Sequence, residues 1–145
     1  MSRAPAPGRV VHFGYLWRRQ RDRGRVEAAK DRPCVVLFVD VEMVPGRELV
    51  SVLPITHSPP RSPGDALELP APTKRRLGLD EARSWVVVTE SNEFTFPGYD
   101  LRAVPDGRAD YGTLSGVQLR ALAAAFDAHM DGEPADRPAR VNRDD

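Results

Sequence analysis

The polar side chains with chemical potential in this sequence stand at the ends of apolar runs. Arg32 immediately precedes Pro33-Cys34-Val35-Val36-Leu37, and Thr56 and His57 directly follow Leu53-Pro54-Ile55. Glu90 closes the run Ser84-Trp85-Val86-Val87-Val88-Thr89. Strand ends meet loops at the rim of a small β-structure, which is where such folds bind ligands. Taken singly, each of the four also reads as an ordinary polar strand end. The sequence contains no GxGxxG, Walker, GxSxG or HExxH pattern, so nucleotide-cofactor, serine-hydrolase and zinc-protease chemistry has no support. His12, His57 and His129 are far apart in sequence and Cys34 is the single cysteine, so neither a metal site nor a cofactor is expected. Cys34 lies inside an apolar run and is expected to be a buried, inert thiol.

Charge adds a second kind of chemistry. The 145 residues carry 21 Lys+Arg and 21 Asp+Glu, but the zero net charge hides a gradient. Residues 1–30 hold eight bases against Asp22 and Glu27, a net of +6, whereas residues 106–145 carry a net of −3. Arg18, Arg19, Arg21, Arg23, Arg25 and Lys30 form the dense part of the basic segment. A basic front half with an acidic end suggests a polyanion-binding surface. The plainer alternative is a solvated, arginine-rich connection.

These groups need elements to hold them. The length fits one domain with a real core, and 14 prolines point to long connections. No apolar run is long enough to cross a bilayer, and the first nine residues hold no apolar signal core. With one cysteine there is no internal disulfide framework, so a reducing cytoplasm is the expected compartment. β-Branched and aromatic residues predict strands over 9–17, 33–41, 48–55, 66–69 and 84–89, with a further short one from Phe94. The segment 18–31 is read as a charged loop turning at Gly24, and 73–77 as one helical turn stopped by Gly78. Ser115 with Gln118 three residues on forms a capping box. Leu119, Leu122, Phe126 and Met130 then mark one apolar helix face. The expected architecture is a mainly β small antiparallel barrel or sandwich, with a C-terminal helix as its lid. Residues 1–7 are read as a disordered segment, 8–132 as the domain and 133–145 as a polar tail.

At this point the chain resembles a known family. The segment Lys30-Asp31-Arg32-Pro33-Cys34-Val35-Val36-Leu37, followed some twenty residues on by Leu53-Pro54-Ile55-Thr56, is similar to the MazF/PemK toxin ribonucleases. The glycine-led opening Gly8-Arg9-Val10-Val11, the long connection and the closing helix follow the same order across roughly residues 8–130. The resemblance implies a small SH3-like β-barrel of the MazF/PemK/CcdB toxin kind. It implies a metal-independent endoribonuclease that cuts single-stranded RNA selectively by attack of a 2′-hydroxyl on the adjacent phosphate. The family arginine falls on Arg32, which would hold phosphate oxygens and stabilise their added charge. The family threonine falls on Thr56, and Glu90 is the nearest match to an acid that some members carry on the corresponding strand. His57 is additional, an acid or base near neutral pH beside the motif threonine. The chain departs from the family in its first strand, which reads His12-Phe13-Gly14-Tyr15-Leu16-Trp17, and in longer connections at 59–64 and 71–80.

The implied role is a growth inhibitor of a type II toxin–antitoxin pair, active in plasmid maintenance and neutralised by a cognate antitoxin protein. Antitoxin-mediated association with operator DNA is a further implication. The implied assembly is a homodimer. The sequence adds a modest reason for it, since Phe13, Tyr15, Leu16 and Trp17 are more large apolar groups than one inner strand face can bury. The alternative is that the C-terminal helix covers that face. A different functional class is a non-catalytic nucleic-acid- or protein-binding barrel of the same fold. A gyrase-poisoning toxin ranks lower, because the C-terminal aromatic signature of that group is absent from Val141–Asp145.

Overall fold

The computed structural model describes residues 5–41, 46–97 and 101–144. Alternating apolar residues build β1 (Arg9–Tyr15), β2 (Lys30–Val41) and β3 (Glu48–Thr56), which pair antiparallel in chain order. Between the first two lie α1 (Arg18–Asp22) and a 3₁₀ turn at Val26–Ala28. The segment read as a charged loop is therefore partly helical, and it turns at Gly24, whose φ of +69° is left-handed. β4 (Ala66–Glu68), α2 (Ala71–Leu77), β5 (Trp85–Val87) and β6 (Glu90–Phe96) follow. The chain then runs through β7 (Gly112–Thr113) and α3 (Gly116–Met130) to β8 (Ala139–Asn142).

The result is an eight-stranded curled sheet, a half-barrel, with α3 near the C-terminus. Its main path runs β4-β5-β3-β2-β1-β7. The curl comes from β3, whose residues Glu48–Val52 pair with β6 while Ile55 and Thr56 pair with β5. A bulge in β2 between Val36 and Phe38 helps the bend. Residues 133–145, read from sequence as a polar tail, include a strand of this sheet. β8 runs parallel to β6 with Val141 fully buried, so this part of the chain belongs to the fold. Of the segment read as disordered, residues 1–4 lie outside the described residues. Pro5 is buried, and the Ala6 carbonyl accepts from the Arg9 N–H, which turns the chain into β1.

Period-two alternation divides the core in two. Val10, Val35, Leu53 and Val86 face Leu122 and Phe126 of α3 on one side of the sheet. Val11, Phe13, Tyr15, Cys34, Val36, Val50 and Val52 pack with Phe94 on the other. Phe13 stacks on Phe94 with centroids 4.9 Å apart. The aromatic strand that suggested a covering partner is thus covered within the chain. Phe13 and Tyr15 are fully buried, and it is β6 rather than α3 that covers them. The expected capping box of α3 is present, with Ser115 Oγ accepting the Gln118 N–H at 3.2 Å. Gln118 also donates to buried Thr73 at 2.6 Å, tying α3 to α2. Cys34 is buried as expected, and burial pushes its thiol pKa far up. Among the described residues no helix is long and apolar enough to cross a membrane.

Candidate active site

β2 and β3 set the geometry. Their register places Cys34 opposite Pro54, and carried two residues outward it puts Arg32 across from Thr56. Two motifs more than twenty residues apart in sequence thus end on one rim. There Arg32, Thr56 and His57 line a single open cleft of about 340 Å³, joined by Gly78 and Asp80 from the turn after α2 and by Tyr111. Gly78 caps α2 with a left-handed φ of +73°, a conformation that glycine adopts without strain, and this directs Asp80 into the cleft.

Each side chain has a defined partner set. The Arg32 guanidinium lies 5.3 Å from the Trp17 ring centroid, and among the described residues its buried Nε has no hydrogen-bond partner. An unpaired buried donor on a cation is costly and is relieved by an anionic acceptor. Thr56 Oγ1 accepts the Ser58 N–H at 3.2 Å, which leaves its hydroxyl proton able to donate. His57 Nε2 lies 2.8 Å from Asp80 Oδ2. Asp80 Oδ1 in turn accepts from Lys74 Nζ at 2.9 Å, and the same ammonium donates to the Ala82 carbonyl. The Lys74 hydrogen bond, with help from His57, holds the Asp80 carboxyl below its ordinary value against a smaller opposing effect of burial. Tyr111 Oη sits 3.0 Å from His12 Nδ1, and burial pushes its phenol pKa up.

Glu90 does not line this cleft. Its Oε1 accepts from Tyr15 Oη at 3.1 Å and from the Arg18 N–H at 2.9 Å, which fixes the start of α1 to β6. The structure therefore gathers Arg32, Thr56 and His57 and leaves Glu90 as a tether beside them. The basic residues Arg18, Arg19, Arg21, Arg23, Arg25 and Lys30 are all exposed. Arg21 is held by Asp22 and by the Arg140 carbonyl of β8 at 3.2 Å. Arg19 lies over Trp17 at 5.2 Å and, with Thr56 and Arg61, lines an adjoining cleft of about 240 Å³. Thr56 thus borders both clefts.

Sequence reasoning missed Asp80, Lys74, Tyr111 and the role of Trp17. Lys74 opens the basic run Lys74-Arg75-Arg76, and only its place three residues before Leu77 on a short helix hints that it turns inward. Among the described residues no group of three or more His, Cys, Asp and Glu side chains is placed to hold a metal ion. Fold and site together define a curled β half-barrel with an open rim cleft in which a guanidinium and an imidazole stand beside the carboxylates of Asp31 and Asp80. No family model, curated protein or solved structure matches the chain.

Proposed function

We propose that this chain is a metal-independent endoribonuclease of the MazF/PemK toxin kind, with an SH3-like barrel, acting on single-stranded RNA. The observation that carries this reading is the meeting of a guanidinium, a free hydroxyl donor and an imidazole in one open cleft. In the proposed reaction the 2′-oxygen attacks the adjacent phosphorus while its proton passes to a base. The bond from phosphorus to the 5′-oxygen breaks, and that oxygen takes up a proton. The products are a 2′,3′-cyclic phosphate and a 5′-hydroxyl. Arg32 stabilises the charge on the equatorial oxygens, Thr56 donates to one of them, and His57 moves the proton. Glu90 acts through its tether on α1 rather than on the phosphate. The exposed arginines of α1 supply a backbone track for the strand. They also offer a surface to an acidic antitoxin segment.

The test is incubation of the purified chain with a single-stranded RNA pool in excess chelator, with mapping of the new ends. Cyclic phosphate and 5′-hydroxyl ends are expected, together with growth arrest on induced expression. Intact RNA under all conditions overturns the reading. The engagement of Glu90 away from the cleft favours a second reading, a binding barrel without turnover. Retention of RNA on the protein with no new ends is the result that selects it.

A further inference from the structure

We infer that Asp80, pinned by the buried Lys74, fixes the His57 imidazole in its Nε2–H tautomer and thereby makes Nδ1 the atom that receives the 2′-hydroxyl proton. The inference rests on the proposed RNA cleavage and deepens it by naming the proton acceptor and a positioning residue. An ionised carboxylate only accepts hydrogen bonds. With Asp80 Oδ2 2.8 Å from His57 Nε2, that nitrogen must carry the hydrogen. The other ring nitrogen, Nδ1, makes no hydrogen bond among the described residues, so its lone pair is available at the cleft.

Lys74 is what makes the arrangement rigid. Its side chain is only 6% exposed, whereas those of His57 and Asp80 are more than half exposed. An exposed imidazole–carboxylate pair would otherwise wander. The ammonium holds Asp80 Oδ1 at 2.9 Å and is itself held by the Ala82 carbonyl, so the carboxylate has one orientation and stays charged at neutral pH. In the cleavage step the 2′-hydroxyl proton moves to His57 Nδ1 as the new O–P bond forms. The 5′-oxygen departs and takes its proton from water at the open rim. The tautomer of a histidine is set by the bond its second nitrogen makes, and Asp80 supplies that bond.

The experiment uses the full chain labelled with ¹⁵N-histidine, observed by long-range proton–nitrogen correlation at about pH 8, where free imidazole is neutral. The His57→Ala variant identifies the signals. In the native chain His57 is expected in the Nε2–H form, and Asp80→Asn, whose amide can donate to Nε2, should raise the Nδ1–H form severalfold. In cleavage assays Asp80→Asn is expected to lower kcat roughly 10- to 100-fold. That is less than the roughly 10⁴-fold seen when a buried triad acquires the wrong tautomer, because this pair is exposed. KM should stay within about twofold, and Asp80→Asn should add nothing to the loss caused by His57→Ala. An unchanged tautomer ratio in Asp80→Asn overturns the inference, as does a double variant well below His57→Ala. If the native chain cuts no RNA, the functional reading and the proton-acceptor role fall, while the spectra still decide whether Asp80 sets the tautomer.

Discussion

Arg32 is held differently from a free strand-end cation. It packs on Trp17, and its Nε is buried with no hydrogen-bond partner among the described residues. Arg32→Ala is expected to lose about 10²-fold or more in cleavage rate, the scale for removing one preorganised charge donor. Arg32→Lys should recover little, because a point charge cannot reproduce the planar fork or its stacking. Thermal melts of both variants should stay close to the native one, and near-native cleavage by folded Arg32→Ala would remove this residue from the site. Asp80 gives a signed pH effect. Its carboxyl lies below the ordinary 3.8 because of Lys74. A depressed folded value means that the contribution is present above 3.8 and is lost as the pH falls through the folded value. The urea midpoint of Asp80→Asn should therefore lie below that of the native chain at about pH 6, and the gap should close by about pH 2. A gap that persists in acid means that the charge of Asp80 is not its source.

At the scale of elements, the basic segment is a short helix braced on two sides. Glu90 holds its first turn and Arg21 reaches the β8 backbone, so the arginines form a placed surface. Neutralising Arg18, Arg19 and Arg23 together is expected to flatten the salt dependence of RNA binding by up to about 2 in log–log slope, at roughly 0.7 for each single-strand phosphate contact. Arg21 is left out because its loss would also loosen β8. An unchanged slope means that α1 only connects strands. The same region depends on Asn92, fully buried on β6, whose amide binds the Leu16 N–H at 2.9 Å and the Leu16 carbonyl at 2.8 Å. It continues β1 where the ladder has ended. Asn92→Ala orphans both groups, at about 1–3 kcal/mol each, and should shift the denaturation midpoint accordingly. A shift under about 0.5 kcal/mol would show that water replaces the clamp.

At the scale of the whole molecule, the sheet is buried on both sides by its own chain. Phe94 and α3 cover opposite faces, so the packing reason for a second copy has gone and the proposed homodimer rests on the resemblance. Light scattering at micromolar concentration decides it. A 32 kDa species, twice the 16.1 kDa chain, is expected if RNA crosses a groove shared by two barrels. A 16.1 kDa species that cuts RNA means that each cleft works alone.

The sequence by itself determined the elements whose signals are local. The apolar runs gave β2 and β3 to within a few residues, Ser115 and Gln118 marked the start of α3, and Gly78 marked the end of α2. It also named Arg32, Thr56 and His57, because polar residues beside apolar runs are visible as breaks in the pattern, although β2 begins at Lys30 and takes Arg32 into its ladder with β1. Their meeting was decided only by register, since pairing of Cys34 with Pro54 is a long-range choice that no single segment encodes. Glu90 shows the converse. Its place at a strand end looked the same in sequence, but the curl of β6 carried it to Tyr15 and α1. Lys74 and Asp80 were illegible for a related reason. A lysine becomes a buried anchor only when a backbone carbonyl and a carboxylate fold back around it, and here the turn at Gly78 brings Ala82 and Asp80 there. β8 reads as polar because three of its four residues remain partly or fully exposed. Only the parallel seat beside β6 makes Ala139–Asn142 a strand, because its backbone hydrogen bonds and the burial of Val141 both depend on that distant partner.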